Sequence, residues 1–243
     1  MSAPAIILVA PQMGENIGAA ARAMLNFGLT HMRIVAPRDG WPNPKAVAMA
    51  SGAGRILDDA LVSETTTEAI GDLTHVYATT ARPREMTKAV FTPEGAVADA
   101  AKRIAAGEKV GVLFGGERAG LSNEDVIRAN SIITVPTNPD FSSLNLAQCV
   151  LLMCYEWRRQ NDDTPEETLH TGKSERAEAV EVERLTAHLI EDLDAAGFFF
   201  PDNKREHMVG NLSNLLRRMP MTSQDARTLH GVIRALSEKR RSS

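Results

Sequence analysis

The feature that most constrains this chain is the alternation in its first 160 residues. Five short apolar runs, Ala5 to Ala10, Met32 to Ala36, His75 to Thr79, Val110 to Phe114 and Ile132 to Val135, are separated by stretches of helical character. Strands that alternate with helices pair in parallel and are covered on both faces, because each crossover carries the chain back over the sheet. The chain therefore reads as α/β, with helices over Ile17 to Phe27, Pro93 to Ala106 and Leu144 to Arg159. Gly28 can end the first of them.

In such folds ligands sit at the carboxyl edge of the sheet. Two segments there stand out. Phe114-Gly115-Gly116-Glu117-Arg118-Ala119-Gly120-Leu121 follows an apolar run, and its glycines let backbone amides approach a ligand. The segment from Val135 to Ala147, which includes Pro136, Thr137, Ser142, Ser143, Leu144 and Asn145, separates the last apolar run from a long apolar helix. Two such turns could wall one pocket.

Other chemistries lack their motifs. There is no G-x-G-x-x-G after the first strand and no G-x-x-x-x-G-K-[ST], and Gly14 and Gly18 are too loosely spaced for a dinucleotide turn. The 6 histidines are scattered, so no metal site is expected. Cys149 and Cys154 lie five apart on one helix and point to different faces, which supports neither a disulfide nor a zinc site. No apolar run approaches the ~20 residues needed to span a bilayer, and the start lacks a signal-peptide pattern, so a cytosolic protein is expected with no membrane partner.

The formal net charge of -4 argues against a nucleic-acid partner until its distribution is considered. Residues 1–160 carry 15 basic and 16 acidic side chains, residues 161–202 carry 3 and 12, and residues 203–243 carry 9 and 3. A basic terminal block behind an acidic connector can present a positive face to phosphates; a solvated helix surface would look the same. Residues 161–175 are poor in apolar side chains and read as a linker. Beyond them, Val180, Val182, Leu185, Leu189, Ile190 and Leu193 form one helical stripe, and Met208, Leu212, Leu215 and Leu216 another.

Three ordered segments, Asn16 to Met24, Gly115 to Leu121 and Val135 to Ala147, resemble the signature segments of the SpoU (TrmH-like) branch of the SPOUT RNA methyltransferases. The resemblance runs from about Ala5 to Arg159. Thr79-Thr80-Ala81-Arg82, Ser142-Ser143 before Leu144-Asn145-Leu146, and the tail around Asn214 to Arg218 and Leu229 to Ile233 bring it closest to the bacterial TrmJ type.

The resemblance implies a SPOUT parallel sheet with a deep trefoil knot, formed here by Gly115 to Leu121 and Val135 to Asn145, over residues 1–160. A small helical unit, residues 176–243, would help to bind tRNA. The implied reaction is S-adenosylmethionine-dependent 2′-O-ribose methylation of tRNA at position 32 of the anticodon loop, by a homodimer that uses no metal. Ribosomal RNA methylation and a non-catalytic RNA-binding module are the alternatives.

Carried onto this chain, the resemblance assigns the cofactor to Thr79, Thr80, Ala81, Gly115, Gly116, Val135, Pro136, Ser143, Leu144 and Asn145. Arg22 matches the central catalytic arginine. Because a guanidinium is so weakly acidic, it is read as fixing the phosphate beside the target ribose and stabilising the nascent 2′-oxyanion. Asn16 is either a helix cap or a substrate contact. Glu117 is read as bonding loop amides or Arg22-type partners rather than taking a proton. Ser142 and Asn145 bond the ribose or close the knot loop. Arg82, Arg84, Arg217 and Arg218 are the expected substrate contacts. The chain departs from the pattern at Gly116, Pro136 and Thr137, where relatives often carry other residues.

Overall fold

The buried run Ala5–Val9 forms strand β1 at the centre of the sheet. A computed structural model describes residues 3–81, 87–160, 162–165 and 174–241, which fall into two units, Met1–Asp163 and Thr164–Ser243. Among the described residues of the first unit, β1 is joined by β2 (Met32–Val35), β3 (Leu61–Ser63), β4 (His75–Thr79), β5 (Val90–Phe91), β6 (Val110–Gly115) and β7 (Ser131–Ile133). They form one seven-stranded sheet of order β3-β2-β1-β6-β4-β7-β5, parallel at every pairing. The sheet is the expected parallel α/β architecture. Edge strands β3 and β5 have too few residues to show a period, which is why the sequence did not reveal them.

Side-chain alternation along β1 divides the core in two, as the two-residue period of a strand requires. Ile6 and Leu8 join Ile17, Met24, Val97, Phe114 and Val150 on one face; Ile7 joins Ala69, Leu113, Val126 and Ile132 on the other. The first face is covered by α1 (Gly14–Asn26), α2 (Pro44–Ala50), α3 (Gly54–Asp58), α5 (Pro93–Ala105) and α7 (Leu146–Arg159). Residues of α4 (Thr66–Ile70) and α6 (Asn123–Arg128) cover the second. Burying each large aliphatic side chain here contributes about 1.5–3 kcal/mol.

Side-chain caps set several helix starts. Asn43 accepts from the amides of Lys45 and Ala46 before α2, Thr92 precedes Pro93 at α5, and Ser122 forms a capping box with Asp125 at α6. At α7 the cap is Asn145, so the helix begins at Leu146 rather than Leu144. Helix α1 begins at Gly14, three residues before the expected Ile17. Gly18 lets α1 lie directly on α2, since a Cβ there would overlap the Ala46 carbonyl.

The second unit contains α8 (Ala179–Ala195), a single 3-10 turn at Asp202–Lys204, α9 (Arg205–Arg217) and α10 (Ser223–Arg241). The first two helices match the two apolar stripes, and α10 adds a third. Leu185, Leu216, Met221, Ala226 and Ile233 form its core. Arg217 pairs with Glu183 at 2.6 Å, and His188 meets His230 at 2.8 Å between their Nδ1 atoms. Among the described residues of the expected linker, 162–165 and 174–175, there is no helix or strand. No helix among the described residues is long and apolar enough to cross a membrane.

Candidate active site

Because β6 is inserted between β1 and β4, and β7 lies beyond β4, the carboxyl ends of β6, β4 and β7 stand side by side. A pocket opens there. Its floor is apolar, with Phe114, Leu121, Ile133, Leu146 and Cys149. The walls come from both glycine- and serine-bearing turns: Gly115, Gly116, Glu117, Arg118, Ala119 and Gly120 from the first, and Val135, Thr137, Ser142, Ser143 and Leu144 from the second. Thr79, Thr80 and Ala81 complete it at the end of β4.

The first turn is closed tightly. The amide of Gly120 donates to the Gly116 carbonyl at 2.9 Å, and Gly120 has a φ of 67°, the left-handed region. A Cβ on Gly115 would overlap the backbone of Gly120 and Leu121, and one on Gly116 would overlap the Ala10 carbonyl oxygen. Backbone therefore forms this wall.

Beside the pocket, Glu117, Asn16 and Asn145 form a chain of side chains. Glu117 accepts from the amide of Gln12 at 2.7 Å, from the amide of Met13 at 3.2 Å and from Asn16 Nδ2 at 2.6 Å. Asn145 Nδ2 donates to Asn16 Oδ1 at 3.0 Å, while Asn145 Oδ1 accepts from the amides of Ala147 and Gln148. One chain thus ties the start of α1 to the first turn and to the start of α7. It also explains the early start of α1: Met13 gives no side-chain cap, and the Glu117 carboxylate supplies both the acceptor and the negative charge that a helix N-terminus favours.

Burial alone would raise the Glu117 carboxyl, but the hydrogen bonds from Asn16 and from the Gln12 and Met13 amides outweigh it and hold the group below its ordinary value. The stabilisation from this lowered value is fully present above the ordinary carboxylate value of about 4.3 and is lost as pH falls through the lower folded value. Glu117→Gln should therefore destabilise the chain at neutral pH by about 1 kcal/mol, because an amide NH₂ would face an amide N–H. Thermal melting checks this: the difference from wild type should vanish in strong acid, and a difference that grows there would contradict the clamp.

Thr79 Oγ1 donates to the Leu113 carbonyl at 2.8 Å. Burial pushes the Cys149 thiol up to about 11, so it stays protonated at neutral pH.

The remaining expected site residues are placed elsewhere. Pro136 and Asn145 do not contribute to the pocket wall, although their neighbours do. Asn16 is buried in the side-chain chain. Arg22 is exposed on α1 and does not line the pocket; Glu117 bonds loop amides and Asn16, not Arg22. Arg217 and Arg218 are exposed in the second unit, Arg217 held by Glu183. Arg82 and Arg84 lie outside the described residues. Sequence reading overlooked Arg118, Thr137 and Cys149 as lining residues. The first two sit inside the turns already singled out, and Cys149 lies one helical turn after the cap, so turn membership and helical spacing were the available signals. Among the described residues no group of three metal-binding side chains converges.

The family model described as "SpoU rRNA Methylase family" matches residues 3–155. A tRNA (cytidine/uridine/adenosine-2′-O-)-methyltransferase TrmJ from Pseudomonas aeruginosa is 34% identical over 250 residues, covering 97% of this chain and 96% of the relative. The crystal structure of TrmJ from Z. mobilis ZM4 superposes with a TM-score of 0.86 at 50% identity, covering 97% of this chain and 100% of that one. The SpoU methyltransferase AviRb from Streptomyces viridochromogenes, solved in complex with the cofactor AdoMet, shares the fold with a TM-score of 0.51 at 20% identity, over 65% of this chain and 57% of that one. The chain belongs to the SpoU methylase family, with TrmJ-type enzymes as relatives over nearly its whole length.

Proposed function

We propose that this chain methylates the ribose 2′-oxygen of tRNA, with S-adenosylmethionine as donor, at position 32 of the anticodon loop. The observation that carries the reading is the pocket at the joined ends of β4, β6 and β7, walled by both motif turns, in a chain whose full-length relatives are named for tRNA 2′-O-methylation.

The pocket fits the donor chemically. Its Gly115–Gly116 wall is bare backbone, its floor is apolar, and Ser142 and Ser143 offer polar groups at the rim. When bound, the cofactor supplies an electrophilic methyl on a sulfonium. Thr80, Ala81, Val135 and Leu144 would enclose it, and Pro136 would stiffen the turn. The two turns, Gly115 to Leu121 and Val135 to Asn145, are assigned to a trefoil knot.

The chain's own residues position the acceptor. With its carboxylate committed to two amides and Asn16, Glu117 acts by holding the turn, and Asn16 and Asn145 by joining it to α1 and α7. Ser142 is placed to bond the ribose. Arg22 holds the neighbouring phosphate and stabilises the developing oxyanion. Since Arg22 is exposed and away from the pocket wall, we assign the active species to a homodimer in which one protomer's Arg22 serves its partner's pocket. Leu151, Leu152 and Tyr155, exposed on α7, offer an apolar surface for that association. Residues 176–243, with Arg217 and Arg218, would grip tRNA, as would Arg82 and Arg84; residues 161–175 connect the two parts. Function in the cytosol follows from the substrate.

Incubating the enzyme with labelled cofactor, transcribed tRNA and ribosomal RNA fragments, then mapping the methylated nucleotides, tests the reading. Label should enter tRNA at nucleotide 32 and vanish when that ribose is 2′-deoxy. Label retained on the deoxy substrate would indicate base methylation, and label confined to ribosomal RNA would assign the other substrate.

A further inference from the structure

The hydrogen bond from Gly120 to Gly116 fixes Glu117, Arg118 and Ala119 as the tip of a closed turn at the pocket. Glu117 reaches toward the start of α1, where Gln12, Met13 and Asn16 use both of its oxygens. Arg118 lines the pocket and is exposed, and among the described residues it has no hydrogen bond or ion pair. That is unlike Arg33, Arg38, Arg103 and Arg159 of the same unit, each held by a carboxylate. An arginine on a fixed turn, with no donor engaged among the described residues, suits a planar or tetrahedral anion.

We infer that Arg118 is a positioning residue that holds an anion at the pocket mouth, either the carboxylate at the methionine end of the cofactor or an RNA phosphate beside the target ribose. This rests on the methyltransferase reading above. Preorganisation is what the turn adds: the guanidinium is carried on backbone that does not have to order on binding, so less of the interaction is offset by lost freedom. Because an exposed arginine contributes little to folding, its replacement should report on ligands alone.

The test compares full-length wild type, Arg118→Gln and Arg118→Lys by calorimetry with S-adenosylmethionine and by steady-state kinetics with transcribed tRNA. The Gln variant should melt like wild type yet weaken one interaction by about 10–100-fold, the loss expected for a charge-assisted contact, and Lys should recover part of it. Weaker cofactor binding with the KM for tRNA unchanged identifies the carboxylate. Unchanged cofactor binding with a raised KM for tRNA, and a salt slope shallower by about 0.7–0.9, identifies the phosphate. A Gln variant equal to wild type in both measurements overturns the role while wild-type activity keeps the function standing. A wild-type chain that neither binds the cofactor nor methylates tRNA overturns both.

Discussion

Arg22→Ala is expected to lower methyl transfer by on the order of 10²–10³-fold, the loss typical of removing one donor from a developing oxyanion, while calorimetric affinity for S-adenosylmethionine stays unchanged. The side chain is exposed on α1 and contributes nothing to the pocket wall, so the cofactor has no reason to respond. Complementation tests the shared-site arrangement. Arg22→Ala chains mixed with pocket-disabled Gly116→Val chains should recover activity, because one hybrid site then combines an intact pocket with the partner's intact arginine. If both parents and the verified hybrid are inactive, the arginine acts in its own protomer. Equal loss of cofactor affinity in Arg22→Ala would remove it from the substrate side altogether.

Gly115→Ala is expected to abolish cofactor binding and to destabilise the first unit by about 1–3 kcal/mol, the usual cost of forcing extra volume into closed packing. The new Cβ would meet backbone at Gly120 and Leu121, and backbone cannot rotate away as a flexible side chain can. Gly210→Ala is the matched control. It lies within α9 with nothing within 4 Å of the added carbon, so it should stabilise its helix by about 0.5–1 kcal/mol. Calorimetric melting and cofactor titration of the two variants separate the steric effect from a general response to alanine. A Gly115→Ala chain with wild-type affinity would show that the turn can open without cost.

Much of this was legible locally. The five apolar runs became β1, β2, β4, β6 and β7, because a strand buried on both faces must be apolar along its length, and that signal is short-range. The two turns at the pocket were readable for the same reason: glycine, serine and asparagine after a strand mark backbone that is not continuing the ladder. The cap of α7 was harder. Asn145 could equally have touched substrate, and only its bonds to the Ala147 and Gln148 amides and to Asn16 show what holds it.

By itself the sequence determined the α/β class, the apolar stripes of α8 and α9 and the residues of the two turns, since each depends on periodicity or on the conformational preferences of near neighbours. Tertiary structure alone decided that β6 enters between β1 and β4, which brings three strand ends to one pocket. It alone decided that α1 starts at Gly14, because the acceptor for the amide of its cap residue Met13 is Glu117, 104 positions along the chain. It also left Arg118 facing the pocket with its donors unused among the described residues, and Arg22 outside the pocket wall. Such contacts join residues with no local relation, so their energies appear only once the fold has closed the distance between them.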